Sequence, residues 1–161
     1  MANKEIFWDD NYYNHPDLTE EMVQFAENEL GVKLPSLYIE LLKVMNGGYT
    51  KRFLFPIESE VSWSGNYIPL PDLRGIVTDS NIDTSLNILD TPYMTKEWGL
   101  PEKQVLLSGD GHCWVTLDYR RGHSPSVRWI DIDANEDVHV ADSFEKFFEG
   151  LIVDESHIHE M

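Results

Sequence analysis

QVLLSGDGHCWVTLDYRRGHSPSVRWIDID, residues 104–133, is the stretch on which the fold turns. Two apolar runs flank Gly109-Asp110-Gly111-His112, a turn signal whose glycines supply positive φ. Beyond the turn, strand alternation sends Cys113, Val115 and Leu117 to one face and Trp114, Thr116 and Asp118 to the other. A Gly/Ser/Pro loop follows, then a third run from Val127 to Ile132. The pattern predicts an antiparallel β-meander with aspartates, a histidine and tryptophans near its turns.

Working outward, the last helix is the clearest in the chain. Phe144, Phe147, Phe148, Leu151 and Ile152 recur at helical spacing, and Asp142 with Glu145 has capping-box spacing. Residues 137–141 add a strand between meander and helix. Toward the N-terminus, residues 17–30 read as a helix capped by Asp17 or Thr19, with Met22, Phe25, Ala26 and Leu30 as its buried stripe. Pro35 opens a second helix whose apolar face is Leu37, Tyr38, Leu41, Leu42 and Met45. Asn46-Gly47-Gly48 stops it. Residues 51–57 and 73–77 read as strands. Between them, Trp63-Ser64-Gly65-Asn66 and Pro69-Leu70-Pro71 read as a loop. Residues 79–100 predict one or two short helices broken near Pro92. The sum is an α+β chain: a mainly antiparallel, twisted sheet with helices at both chain ends packed around it.

The 161 residues suit a single domain over 1–161, with its core at about 17–152 and a polar tail at 154–161 that frays. The N-terminus lacks a basic region followed by an apolar run, and no stretch approaches the ~20 apolar residues of a membrane span. One cysteine, Cys113, cannot form an internal disulfide. These features predict a cytoplasmic protein without a membrane partner. The formal charge of −17 is concentrated at the ends: −7 in residues 1–30, −9 in residues 131–161 and only −1 between them. Phosphates would be repelled, so direct binding of nucleic acid is disfavoured and a basic protein partner is favoured.

Asp110, His112 and Asp118 offer the donor types of a metal or acid–base site. Asp110, however, lies in a turn, where aspartate bonds its own backbone. No HExxH, paired CxxC or phosphate-cradling loop accompanies them. The set therefore reads as structural or binding, with no catalytic residue, cofactor or metal assigned. Cys113 falls on the apolar phase of its strand and reads as a buried small hydrophobe. His157 and His159 read as part of a solvated tail. Most tryptophans read as core. Trp114, sharing a face with Thr116 and Asp118, reads as the most exposed, and Trp63 in its polar loop comes second. The surface candidates for partner contact are Trp63, Asp110, His112, Trp114, Asp118 and Tyr119.

An ordered set of motifs also resembles a known family. Leu30-Gly31-Val32-Lys33-Leu34-Pro35 followed by Asn46-Gly47-Gly48 is similar to the N-terminal signature of the SUKH superfamily. Leu107-Ser108-Gly109-Asp110-Gly111-His112 with Trp114 and Leu117-Asp118-Tyr119 resembles its central motif. Ser124-Pro125-Ser126-Val127 and Ala141-Asp142-Ser143-Phe144 with Phe147 resemble its later segments. The resemblance spans residues 17–152, although 58–100 matches no piece of it. It implies one α+β domain that works by non-catalytic protein binding. Bacterial members are largely immunity proteins that neutralise toxins, often nucleases. A fungal relative regulates cell-wall assembly through protein contacts. The leading expectation is an antitoxin-type protein whose acidic groups stand in for phosphates against a basic toxin. The alternative is a regulatory or scaffolding module, and a metal-dependent enzyme comes third.

Overall fold

The computed structural model describes residues 3–154. Helix α1, Glu20–Leu30, starts where Thr19 accepts a hydrogen bond from the Met22 N–H at 3.2 Å, and its first turn carries Glu20 and Glu21, which complement the dipole. It buries Val23 and Ala26, whereas Phe25 is 47% exposed. The expected stripe was one position out of phase there. Helix α2, Ser36–Val44, follows Pro35 and buries Tyr38, Leu41 and Leu42.

The long strand β1, Gly48–Val61, folds back on β2, Gly65–Leu73, in an antiparallel hairpin. The expected loop through Pro69 and Pro71 is thus strand, and only the first residue of the expected 73–77 strand belongs to one. The prolines misled the reading because they lack a donor, but β2 is an edge strand, where that loss is tolerated. Spaced two apart, their missing donors fall on one side of the strand. A 3-10 turn at Ile88–Asp90 leads into α3, Thr91–Trp98, with Pro92 in its first turn. The two short helical pieces expected over 79–100 are thus present, with their break near Pro92, which opens the second of them.

The meander is present as expected: β3 Gln104–Asp110, β4 Cys113–Asp118, β5 Ser126–Asp131 and β6 Glu136–Ala141, all antiparallel in sequence order. Helix α4, Phe144–Gly150, is capped by Ser143, which accepts from the Lys146 N–H at 3.1 Å, and not by Asp142. The helix ends at Gly150, with Leu151 already in extended conformation. Ile152 then falls in β7, Ile152–Val153, paired to β1, and is 41% exposed rather than part of the helical stripe. The antiparallel strands are divided between two sheets, β2-β1-β7 and β3-β4-β5-β6. The Arg74 N–H joins them by donating to the Leu107 carbonyl at 2.8 Å.

The main core lies between the helices and both sheets. It takes Leu41, Phe53, Ile68, Val115, Leu117, Phe144 and Phe147 among its members. A second, smaller cluster forms on the other face of the meander, where Leu100, Leu106, Trp114 and Ile130 pack together. Both faces of β4 are therefore buried. Among the described residues no helix is long and apolar enough to cross a membrane. The expected fraying of 155–161 lies outside the described residues.

Asn46 knits the first half together. Its side-chain amide donates to the carbonyls of Pro16 and Ile76 at 2.9 and 2.7 Å and accepts from the Ile76 N–H at 2.8 Å. A Cβ on Gly75 would lie 2.1 Å from the Asn46 carbonyl oxygen, so only glycine allows this approach. The Asn-Gly-Gly signature thus does more than stop a helix.

Candidate functional site

The tip of the β3–β4 hairpin forms the site. Asp110 pairs with Cys113, leaving Gly111 and His112 as the two-residue turn. Gly109 has φ 126°, and a Cβ there would meet the Cys113 carbonyl at 2.2 Å, so glycine is required. Beside the tip, a cleft of about 230 Å³ runs between β2 and β3, walled by Trp63, Pro69, Pro71 and Trp129, with Asp72 and Asp110 on it. Trp63 is 63% exposed and meets the His112 ring edge-on at 5.6 Å between centroids. Asp72 accepts from the Ser108 hydroxyl at 2.8 Å, and burial pushes its carboxyl above the usual range despite that bond.

Trp63, Asp110 and His112 are therefore brought together at an accessible surface. The other three candidates are interior. Trp114, expected to be exposed, is wholly buried: its indole N–H donates to the Gly111 carbonyl at 2.6 Å, and the Arg74 guanidinium stands 5.1 Å over its ring. The alternation was right, but the second cluster covers that face as well. Tyr119 is buried with its hydroxyl donating to the Lys33 carbonyl at 2.6 Å, which ties the meander to the α1–α2 connection. Asp118 is buried in an ion-pair network. It accepts from Gln104 at 2.7 Å and from the Arg120 guanidinium at 2.8 Å. Arg120 and Arg128 in turn hold Asp137 at 2.9 and 2.6 Å. Burial alone would raise the Asp118 carboxyl, but the hydrogen bonds from Arg120 and Gln104 outweigh it and hold it below the usual range.

Sequence reasoning missed Asp131 and Asp133. Asp131 stands opposite Cys113 on β5 and is buried. Its carboxylate lies 3.1 Å from His112 Nδ1, and Cys113 Sγ lies 3.1 Å from the same nitrogen. Asp133 approaches that nitrogen to 3.8 Å. No short turn fixes this register, because β4 and β5 are joined by residues 119–125, so only the observed pairing puts Asp131 beside Cys113. Burial, then the charge of Asp131, pushes the Cys113 thiol up to about 12, which makes it a poor nucleophile in this form. Pro69, Pro71 and Asp72 were missed because their strand was read as loop.

Of the acids at the chain ends, Glu20, Glu21 and Glu29 on α1 and Glu145 and Glu149 on α4 face solvent, whereas Asp131 is buried. The two helices do not pack chiefly on one another. α1 packs on the 3-10 turn, whereas α4 packs on α2 and the strands β1, β5 and β6.

The model of the SMI1 / KNR4 family (SUKH-1) matches residues 17–150. No curated protein sequence matches the chain. The match covers most of the chain, which therefore belongs to the SMI1/KNR4 (SUKH-1) family. Membership supports an immunity-protein or SMI1/KNR4-like role in general, and it implies partners that are proteins.

Proposed function

We propose that this member of the SMI1/KNR4 family is a non-catalytic immunity protein of the bacterial cytoplasm. It works as one domain that binds a basic toxin, of the nuclease class, and occludes its active site. The observation that carries the reading is charge. A formal −17 on 161 residues, with acids exposed on α1 and α4, attracts a cationic surface over long range. An enzyme that grips phosphates presents such a surface, and carboxylates occupy it in their place.

Trp63, Asp110 and His112 supply the short-range contacts. An exposed indole at an acidic cleft offers apolar area beside charge, the combination that anchors interfaces. Trp114, Asp118 and Tyr119 serve the same surface from beneath, by holding the hairpin and its neighbours in place.

The test is co-purification of the chain with the products of neighbouring reading frames, followed by binding measured at two ionic strengths. Capture of a toxic, basic product whose activity the chain suppresses, with slower association at higher salt, supports the proposal. Capture of an endogenous partner without toxin suppression would instead select the regulatory-module reading. Substrate turnover that disappears with His112→Ala at unchanged stability would overturn the non-catalytic assignment.

A further inference from the structure

The β4–β5 register gathers a mixed set of donors at the base of the hairpin turn. The thiol of Cys113, the imidazole Nδ1 of His112 and a carboxylate oxygen of Asp131 all lie within 4.8 Å of one another. His112 Nδ1 lies 3.1 Å from both Cys113 Sγ and Asp131 Oδ1. A second carboxylate, Asp133, stands 3.8 Å from Nδ1. Zinc–ligand bonds of about 2.0–2.3 Å in a tetrahedron put neighbouring donor atoms roughly 3.3–3.7 Å apart. His112 Nδ1 stands just short of that spacing from Cys113 and Asp131, and rotation of the exposed Asp133 side chain would bring its carboxylate in as a fourth donor.

We propose that Cys113, His112, Asp131 and Asp133 form a binding site for a divalent transition metal ion of the zinc class. One sulfur, one nitrogen and two oxygens suit a borderline ion and are a poor match for magnesium or calcium, which take oxygen alone. Local charge agrees. Among the described residues, His112 is the only ion-pair partner of Asp131 and Asp133, and no lysine or arginine neutralises them. Asp131 is also held from behind, since its Oδ1 accepts from the Ala134 N–H at 3.1 Å, the kind of outer support that orients ligating carboxylates. Asp133 is 76% exposed and His112 33%, so an ion reaches the buried Cys113 from solvent along them. Binding deprotonates the thiol and releases its proton to the buffer.

The site lies directly under Trp63, whose ring abuts His112. Metal ligation would fix the imidazole and with it the exposed end of the hairpin. This assignment does not depend on the partner being a toxin.

The experiment uses the full chain, stripped of metal with a chelator and titrated with cobalt(II) and with zinc. Because His157 and His159 offer a competing imidazole pair in the tail, the titrated background carries H157A and H159A. The expected result is a single cobalt ion per chain with an intense near-ultraviolet thiolate-to-cobalt charge-transfer band, abolished when zinc displaces it. Cys113→Ser should remove that band and weaken zinc binding on the order of 100-fold, and Asp133→Asn about 10-fold. Asp133 is exposed, so its substitution leaves folding intact even if Cys113→Ser does not fold. A cobalt complex without the charge-transfer band would overturn the site. So would zinc affinity unchanged by both Asp133→Asn and His112→Ala, or magnesium bound as tightly as zinc.

Discussion

Replacing Asn46 by alanine should destabilise the protein more than alanine at Trp63, Asp110 or His112. The side chain is 4% exposed and makes three hydrogen bonds across the fold. Those bonds reach residues 30 positions away on either side, joining the chain before α1 to the segment after β2. Without them, the N–H and carbonyl of Ile76 remain buried with no partner from this side chain. Pro16 is exposed and its carbonyl can turn to water. Two orphaned buried groups at about 1–3 kcal/mol each give a loss centred near 4 kcal/mol. For a chain of this size that lowers the melting midpoint by roughly 8–16 °C. Asn46→Asp separates bonding from volume. It keeps the shape and the acceptor but sets a carboxylate against two carbonyl oxygens, and it should be at least as damaging at neutral pH. Urea unfolding of the three proteins gives the answer. A loss below about 1 kcal/mol for Asn46→Ala, with the denaturant slope unchanged, would refute the assigned role of this side chain.

Other perturbations probe different parts of the molecule. Phe148→Ala removes a ring that packs near Phe7, with centroids 5.7 Å apart, and should cost about 3–5 kcal/mol by urea unfolding. Trp63→Ala, at an exposed position, should leave stability within about 0.5 kcal/mol and slow capture of the protein partner in a surface-binding assay. Acid titration should show two opposed effects. Asp72 and Asp90 have carboxyls raised by burial, so as pH falls through their raised values the folded state takes up protons first and gains stability. Relief of the −17 charge toward the isoelectric point near 4.5 acts in the same direction. Asp118, Asp131 and Asp137 are held below the usual range, so their contribution is present above the unfolded carboxylate value of about 3.9 and is lost as pH falls through their folded values. The melting midpoint should therefore pass through a maximum on the acid side of neutrality, and Asp118→Asn should flatten its decline below.

The fold was legible wherever one periodicity ran without interruption. The meander declared itself because β3 and β4 alternate around a glycine turn, and α4 because its phenylalanines recur at helical spacing. Misreadings came where a local signal outweighed a tertiary one. Pro69 and Pro71 look like loop residues in isolation, and only the position of β2 at a sheet edge lets them remain in a strand. Ile152 continues the helical spacing, yet pairing with β1 takes it into β7. Trp114 shows the commonest limit of alternation. Sharing a face with Thr116 and Asp118 suggested solvent, whereas α3 and the chain around Leu100 cover that face and leave the polar groups bonded internally.

That burial changes how the central motif is understood. The Leu-Asp-Tyr end of the motif is devoted to construction: Asp118 gathers Gln104 and Arg120, and Tyr119 reaches across to Lys33. The Gly-Asp-Gly-His end is left to face outward. Gly109 allows the tight approach of β4, and this presents Asp110 at the cleft and His112 against the Trp63 ring. A scaffold that fixes its hairpin from the buried end is free to vary the exposed end without losing the fold. Substitutions at Trp63, Asp110 and His112 should then alter partner choice at nearly constant stability, while those at Asp118 and Tyr119 should alter stability first and binding only as a consequence.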